Sequence, residues 1–176
     1  MKIVVIGGTG LVGSKLVDKL RRHSHIIIPA SPESGVNTIT GEGLHEALKN
    51  ADVVVDVSNS PSFEDEEVMD FFRKSTMNLL TAAIYAGLKH YVALSVVGAD
   101  RLWKSGYLRA KSTQEELIRV AGIPYTILRS TQFFEFAPRI AQSATQGNEV
   151  RISTGAIQPI AADETVPALG DIVINR

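Results

Sequence analysis

Several residue types and patterns are missing from these 176 residues, and each absence excludes a class of protein. The chain contains no cysteine, which excludes disulfide bonds, thiol nucleophiles and cysteine-based zinc or iron–sulfur sites. No apolar run approaches the roughly 20 residues of a membrane-spanning helix, and the first run, 3–6, is too short for a secretory signal. We therefore expect a cytoplasmic protein without a membrane partner.

An excess of one charge is missing too, because 18 Lys and Arg residues offset 19 Asp and Glu residues. The two signs alternate along the chain without a basic stripe, so nucleic acid is not an expected partner. The four histidines (His23, His25, His45 and His90) are far apart and lack ligand spacing, so we predict no metal site. The length predicts a single domain over 1–176, with the oligomeric state left open.

Short β-branched runs alternate with amphipathic segments along the whole chain. The run 3–6 is typical of a strand buried on both faces, and apolar residues then recur at helical spacing over 11–20. The same alternation predicts strands at 25–28, 51–57, 90–95, 124–128 and 149–153, with Pro29 ending the second strand. It predicts helices at 43–50, 68–86, 107–121, 132–145 and from 163. This order predicts an α/β fold with a doubly wound parallel sheet.

The stretch GGTGLVGSK, residues 7–15, follows the first strand and suggests a loop that binds phosphate. A nucleoside-triphosphate loop requires a lysine directly after its last glycine, and then serine or threonine. Here Ser14 precedes Lys15, and one residue on a helix is a rotation of about 100° that turns the lysine away from the phosphate. The triphosphate interpretation is therefore disfavoured.

The dinucleotide interpretation rests on the spacing of Gly7, Gly10 and Gly13. In such loops the first glycine allows a tight exit from the strand, the second lets the backbone approach the pyrophosphate, and the third lets the helix pack closely. The helix N-terminus then offers backbone N–H groups to the anion. The alternative left open is a tight turn that binds nothing.

The end of the second strand bears on the choice of dinucleotide. Domains that prefer NAD usually carry Asp or Glu there for the ribose 2′-OH, whereas residues 28–32 read IPASP. Ser31 and Ser34 can donate hydrogen bonds to a 2′-phosphate, so the pattern favours NADP(H) over NAD(H). The usual arginine is missing and Glu33 is close by, so NAD(H) stays open.

A second constellation is Tyr107-x-x-x-Lys111, whose i, i+4 spacing puts both side chains on one helix face. A nearby ammonium lowers the pKa of a phenol, which would let Tyr107 act as an acid near neutral pH. Lys111 could also hold a nicotinamide ribose, and Ser95, at the end of a strand, could orient a substrate oxygen. The alternative is two ordinary residues on an exposed helix. A serine hydrolase of the elbow type needs glycines beside its nucleophile, whereas Leu94 and Val96 flank Ser95, so the sequence does not indicate a hydrolase.

Five stretches occur in the order expected of one known family: IGGTGLVGSKLV, ADVVVDVSNSPSF, STMNLLTAAIYAGLKHYVALSVVGAD, GYLRAK and GIPYTILRSTQFFEF. Over about 1–163 the chain resembles the atypical short-chain dehydrogenase/reductases, particularly the NmrA-like NAD(P)-binding proteins. The resemblance implies a Rossmann fold with strand order 3-2-1-4-5-6. Relatives usually continue past residue 176, so a short or incomplete C-terminal substrate region is expected.

The resemblance also implies roles for particular residues. The segment 130–134 would lie beside the nicotinamide and the substrate, and the catalytic group would be Ser95, Tyr107 and Lys111. The residues along the pyrophosphate would be Gly7, Thr9, Gly10, Leu11 and Val12. The residues along the adenosine and ribose would be Ser58, Asn59 and Ser60. Some NmrA-like proteins sense the cofactor without turning it over.

These observations predict an NAD(P)H-dependent oxidoreductase that prefers NADPH and reduces a small carbonyl or quinone-type substrate. The alternative is a non-catalytic NAD(P)-binding redox sensor of the NmrA type. Phe133, Phe134 and Phe136 are candidates for an apolar substrate pocket or for the core. Trp103 is either a lid residue or simply exposed.

Overall fold

The computed structural model describes residues 1–152 and 155–175. Short turns of 3₁₀ helix occur at Pro32–Ser34 and Phe134–Phe136. The strands are β1 (Lys2–Ile6), β2 (Ile26–Ala30), β3 (Val53–Asp56), β4 (His90–Val96), β5 (Tyr125–Ser130), β6 (Thr145–Gln146) and β7 (Glu149–Val150). The helices are α1 (Leu11–Leu20), α2 (Leu44–Leu48), α3 (Asp65–Tyr85), α4 (Gly106–Val120), α5 (Ala137–Ser143) and α6 (Ala162–Ile174).

The first five strands form a parallel sheet in the order β2-β1-β3-β4-β5, and β6 pairs with β7 as an antiparallel hairpin. The predicted doubly wound α/β fold is therefore confirmed. The chain moves to one side of β1 for β2 and to the other side for β3. The carboxyl ends of β1 and β3 thus flank the point where strand order reverses, which is where such sheets bind ligands.

The five strands follow the implied order 3-2-1-4-5-6 except that its strand 3 is missing, because within the described residues no strand pairs with the outer edge of β2. The segment between β2 and β3 turns repeatedly instead of extending. Gly35, Gly41 and Gly43 have φ values of +79°, +82° and +72°. The Asn37 side chain also accepts hydrogen bonds from the backbone N–H groups of residues 39 and 40, which holds a local turn.

The prediction that Pro29 ends the second strand is wrong, since β2 runs through Pro29 to Ala30. Pro29 is aligned with Val5 of β1, and β2 is one of the two edge strands of the sheet. A proline removes one backbone donor, and an edge strand tolerates this where the missing N–H would face away from the neighbouring strand.

Apolar clusters cover both faces of the sheet, because successive residues of β1 and β3 point to opposite sides. Val4, Ile6 and Val54 pack towards α3 and α4, with Leu79 and Ile118 among their neighbours. On the other face, residues of α1 and α6 join Ile3, Val5, Val53, Val55 and Val92.

The C-terminal elements agree in part with the predictions. The helix predicted over 132–145 is a 3₁₀ turn followed by α5, and the predicted strand 149–153 ends at Val150, with Ser153 outside the described residues. α6 begins at Ala162 and continues through Pro167. Across residues 1–152 and 155–175, no helix is long and apolar enough to cross a membrane.

Candidate functional site

The glycine loop leaves β1 in a tight turn whose geometry depends on missing side chains. Gly7 has φ +76°, and its N–H donates to the Ala30 carbonyl at 2.8 Å. A Cβ atom on Gly13 would lie 2.1 Å from the Gly7 carbonyl oxygen, so only glycine lets α1 approach this closely. A Cβ on Gly8 would lie 2.7 Å from the Pro29 Cα, a restriction that the spacing of the other three glycines did not predict.

The outer side of this loop is exposed and leads into the N-terminus of α1. Thr9 and Gly10 are exposed, and a Cβ on Gly10 would meet only the Gly7 carbonyl oxygen, at 3.3 Å. α1 starts at Leu11, and the first N–H groups of a helix have no partners within that helix. The loop therefore offers an exposed helix N-terminus that could hold the diphosphate of a dinucleotide.

Lys15 points away from this loop. Its Nζ donates to Asp163 Oδ1 at 2.7 Å, in the first turn of α6. The hydrogen bond to Asp163 raises the pKa of Lys15. Lys15 therefore points away from the loop, as the inverted Ser14-Lys15 order predicts, and its pairing with Asp163 argues against the triphosphate interpretation.

The segment after β2 lies against the glycine loop. The Thr9 hydroxyl donates to Glu33 Oε2 at 3.2 Å. Ser34 Oγ accepts from the Ser31 N–H and donates to the Ser31 carbonyl, both at 2.9 Å. The neighbouring Ser31 side chain, the backbone of Glu33 itself and Thr9 lower the pKa of the Glu33 carboxyl. An ionised carboxylate therefore stands beside the two serines predicted to bind a 2′-phosphate.

The loop after β3 contacts the glycine loop directly. A Cβ on Gly7 would lie 3.0 Å from the Ser58 Cα, so the two backbones pass at close range. Ser58 donates to Asp56 Oδ1 from its N–H at 3.0 Å and from its hydroxyl at 2.6 Å. Ser60 is buried, and its Oγ accepts from the Ser62 N–H at 3.2 Å. Asn59 is exposed on this loop. The structure thus brings together the groups predicted for the pyrophosphate and for the ribose.

Tyr107 joins this group from the start of α4. Its hydroxyl donates to Asn59 Oδ1 at 3.1 Å, and its ring packs edge-on against Phe72 of α3, with centroids 5.9 Å apart. Burial raises the pKa of Tyr107 to about 12. The phenol is therefore protonated at neutral pH and faces the predicted ribose loop.

Lys111 lies one turn further along α4, in a different environment. Its Nζ is 4.5 Å from the Phe72 ring centroid, donates to the Leu94 carbonyl at 2.8 Å and also donates to Gln114 Oε1. Burial lowers the pKa of Lys111 to about 8, against the opposing charges of Asp56 and Glu115. The expectation that Lys111 lowers the pKa of Tyr107 is wrong in this structure, because Phe72 packs against both side chains and burial dominates.

Ser95 points into the interface between β4 and α4. Its hydroxyl donates to Glu115 Oε1 at 2.6 Å, and Glu115 also accepts two hydrogen bonds from Arg129 of β5, at 2.8 and 2.6 Å. Burial raises the pKa of Glu115, but the hydrogen bonds from Arg129 and Ser95 outweigh it, so the net pKa is below its usual value. In this arrangement the Ser95 hydroxyl therefore stabilises a buried carboxylate.

The aromatic candidates separate by exposure. Phe133 is buried and Phe136 packs against the same core, whereas Phe134 and Trp103 are 57% and 59% exposed. Ser130, at the start of the segment predicted to face the nicotinamide, donates its hydroxyl to the Thr131 carbonyl at 2.9 Å. Two of the three phenylalanines are thus core residues.

The sequence-based reasoning missed the buried polar residues beneath the site, which are Asp56, Tyr91, Gln114 and Glu115. Each is 2% exposed or less. Their signals were weak but present: Asp56 interrupts an otherwise apolar strand, and Gln114 and Glu115 follow Lys111 by three and four residues on one helix face.

Comparison with known families gives a match over most of the chain. The family model described as NAD(P)H-binding matches residues 7–160. Among curated proteins, the photosystem II assembly factor Ycf39 of Synechocystis sp. is 26% identical over an alignment 149 residues long, which covers 77% of this chain and 46% of that protein. The chain therefore spans about half the length of the curated relatives it matches.

Solved structures share the fold. A nucleoside-diphosphate-sugar epimerase from Staphylococcus aureus aligns with a TM-score of 0.78 at 18% identity, covering 99% of this chain and 67% of that one. A dTDP-4-dehydrorhamnose reductase from Bacillus anthracis, solved in complex with NADP, aligns with a TM-score of 0.74 at 14% identity, covering 98% and 70%. At these identities the likeness concerns the fold.

Proposed function

The chain belongs to the NAD(P)H-binding family, and from that premise we propose that it is an NAD(P)H-dependent oxidoreductase that reduces a small carbonyl or quinone-type substrate. The resemblance to the NmrA-like proteins is consistent with this membership. The observation that carries the proposal is the contact between the glycine loop and the Ser58–Asn59 loop, which also receives the Tyr107 hydroxyl.

The binding half of the proposal uses the exposed side of the glycine loop. Backbone N–H groups at the start of α1 would hold the pyrophosphate, with Thr9 and Gly10 beside it. Ser58, Asn59 and Ser60 would lie along the adenosine and ribose. The nicotinamide would supply the hydride, and the protein would supply position and electrostatics.

In the chemical half of the proposal, Tyr107 is the proton donor to the substrate. A phenol with a pKa of about 12 is protonated at neutral pH, and its hydroxyl lies at the edge of the ribose loop. Lys111 and Ser95 keep their proposed roles, holding the ribose and orienting the substrate oxygen. Lys111 uses two of its three ammonium N–H groups, on the Leu94 carbonyl and Gln114, so the third is left for the ribose. Ser95 would have to exchange its present acceptor, Glu115.

The test combines binding with turnover. NADH and NADPH are titrated by fluorescence, and their oxidation is then followed against a panel of aldehydes, ketones and quinones. We expect Tyr107→Phe to lower kcat by about a hundredfold or more while the dinucleotide Kd stays the same. Tyr85→Phe, at an exposed tyrosine of α3, is the matched control. A Tyr107→Phe variant as active as the parent would remove the assignment.

Cofactor preference depends on opposing groups at the end of β2. The proposed preference for NADPH assigns the 2′-phosphate to Ser31 and Ser34, but Ser31 is buried and the Ser34 hydroxyl already donates to the Ser31 carbonyl. The Glu33 carboxylate also opposes a 2′-phosphate by charge. We expect Glu33→Gln to tighten the binding of NADPH several-fold and to leave the binding of NADH unchanged or weaker. The exposed Glu46→Gln of α2 is the control. Equal effects of Glu33→Gln on both dinucleotides would contradict this role.

A second candidate function is a redox sensor that binds NAD(P)H without turnover. Two observations favour it: Ser95 and Lys111 are both held by buried acceptors, and the curated relatives carry the name of an assembly factor. In that case a partner protein would recognise the dinucleotide-bound form. Tight NAD(P)H binding with no oxidation by any member of the panel would favour the sensor over the enzyme.

A further inference from the structure

We propose that Asp56 is a positioning residue whose two carboxylate oxygens hold the two halves of the site. One oxygen holds the loop that carries Ser58 and Asn59, and the other holds Lys111 through Gln114. This inference deepens the proposed function, and it rests on that function only for the use of Lys111 at the dinucleotide.

The Asp56 carboxylate is buried at the carboxyl end of β3, where it is 2% exposed. Oδ1 accepts from the N–H and the hydroxyl of Ser58, and Oδ2 accepts from Tyr91 Oη at 3.0 Å and Gln114 Nε2 at 2.9 Å. A buried carboxylate is retained only where such hydrogen bonds replace its water. Asp56 is therefore the centre of a polar network that joins β3, β4 and α4.

The Oδ1 side of the carboxylate sets the position of the ribose loop. Both Ser58 donors bind the same oxygen, which pins the backbone two residues after Asp56. That backbone is the part in closest contact with Gly7. The next residue, Asn59, accepts the hydrogen bond from Tyr107. Asp56 thereby determines where the loop meets both the glycine loop and the phenol.

The Oδ2 side determines the direction of the Gln114 side chain. A carboxylate only accepts hydrogen bonds, so Gln114 must turn its NH₂ group towards Asp56. Its oxygen then faces the opposite way, where it accepts from Lys111 Nζ. The acceptor that holds the ammonium is therefore oriented by a carboxylate that does not itself touch it.

The charged groups that act on Lys111 come from two elements, Asp56 on β3 and Glu115 on α4. The remaining neighbours are neutral: the Phe72 ring of α3, the Leu94 carbonyl of β4 and Gln114. Burial lowers the pKa of Lys111 to about 8 against both carboxylates. Removing the charge at Asp56 should therefore lower that pKa further, by roughly one unit.

The experiment measures the protonation of Lys111 directly, without a cofactor. The side-chain ¹⁵Nζ resonance is followed by NMR from pH 6 to 11 in protein labelled with ¹⁵N-lysine, and it is assigned by its loss in Lys111→Arg. We expect Asp56→Asn to shift the midpoint down by about one unit. Tyr91→Phe is the matched control, because it removes one hydrogen bond from the same oxygen but leaves the charge and the Gln114 contact.

Gln114→Met is the second variant, and it keeps the proposal testable if Asp56→Asn does not fold. It removes both the acceptor of the Lys111 ammonium and the donor to Asp56 while leaving the Asp56 charge, so it should also shift the midpoint down. An unchanged midpoint in these variants, or an equal shift in Tyr91→Phe, would overturn the proposal. Fluorescence titration of the parent protein with NADH and NADPH tests the proposed function separately, because the NMR titration needs no dinucleotide.

Discussion

At the scale of single residues, Lys111 shows how burial changes the chemistry of a side chain. It is 2% exposed and has two oxygen acceptors, yet desolvation of its ammonium dominates and lowers its pKa to about 8. The same burial raises the pKa of Tyr107 to about 12. In both cases the interior favours the neutral form of the group, because a charge is less stable there than in water.

The lowered pKa of Lys111 predicts a specific dependence of stability on pH. The unfolded chain keeps this lysine protonated up to about 10.5, whereas the folded chain releases the proton near 8. Between these values the unfolded state binds more protons, so the free energy of unfolding rises with pH. Below pH 8 the folded protein must keep Lys111 charged in its interior. This lowers the free energy of unfolding by its full amount, about 3 kcal/mol.

Lys111→Met tests this dependence. We expect the parent to gain stability relative to Lys111→Met as the pH rises from 8 to 10.5, by up to about 3 kcal/mol. Urea denaturation at fixed pH values measures the difference, and the comparison cancels groups that titrate in both proteins. A difference that stays constant over this range would show that the lysine is not desolvated in the folded state.

Sequence patterns predicted the identity of these residues but not their partners. The i, i+4 spacing correctly placed Tyr107 and Lys111 near one another on α4, since both contact Phe72. It did not predict that Asn59 would accept from the phenol or that Gln114 would accept from the ammonium. Asn59 lies 48 residues from Tyr107, so only the packing of the β3 loop against α4 brings them together.

At the scale of elements, the junction of β1 and α1 is the part that the local sequence predicts most directly. Its geometry depends on close backbone contacts that a single Cβ atom would disrupt, and the glycine spacing indicates them. The elements around β2 show the opposite case. Pro29 was expected to end a strand, but an edge position tolerates it, and the position of a strand within a sheet depends on the rest of the fold.

Two alanine variants of the glycine loop should separate packing from binding. Gly13→Ala puts a Cβ 2.1 Å from the Gly7 carbonyl oxygen, so we expect about 2 kcal/mol or more of lost stability. The Cβ of Gly10→Ala would lie 3.3 Å from the same oxygen, so the loss of stability should be under about 1 kcal/mol. Because its methyl group would face the pyrophosphate, it should weaken dinucleotide binding at least about tenfold.

Urea denaturation and NADPH fluorescence titration measure the two quantities on the same samples. Gly10 has φ −77°, a value that alanine adopts without strain, so its effect on binding would not come from unfolding. Normal NADPH affinity in Gly10→Ala would contradict the assignment of this loop to the pyrophosphate.

At the scale of the whole molecule, α6 completes the core on one face of the sheet. It follows β5 by more than 30 residues and packs against α1 near the start of the chain, through residues that include Leu169 and Val173. Leu16 and Leu20 of α1 belong to the same buried cluster. The two ends of the described chain therefore stabilise one shared apolar layer.

Leu169→Ala tests the contribution of α6 to this layer. The side chain is fully buried, so truncation should cost about 2–5 kcal/mol through lost burial and the remaining cavity. Leu102→Ala, at a leucine that is 57% exposed, is the control and should change stability by less than about 1 kcal/mol. Equal small losses in both variants would mean that α6 is not part of the cooperative core.

Local patterns alone were enough to predict the α/β class, the alternating elements, the glycine loop and the rejection of a triphosphate site. These features arise from the conformational freedom of glycine, the burial of β-branched runs and helical spacing, all of which act within windows of some 10–20 residues. The tertiary structure decided the strand order, the pKa values and the partners of Ser95, Tyr107 and Lys111. Those depend on which distant groups share a buried interface, and desolvation there outweighs the spacing along one helix.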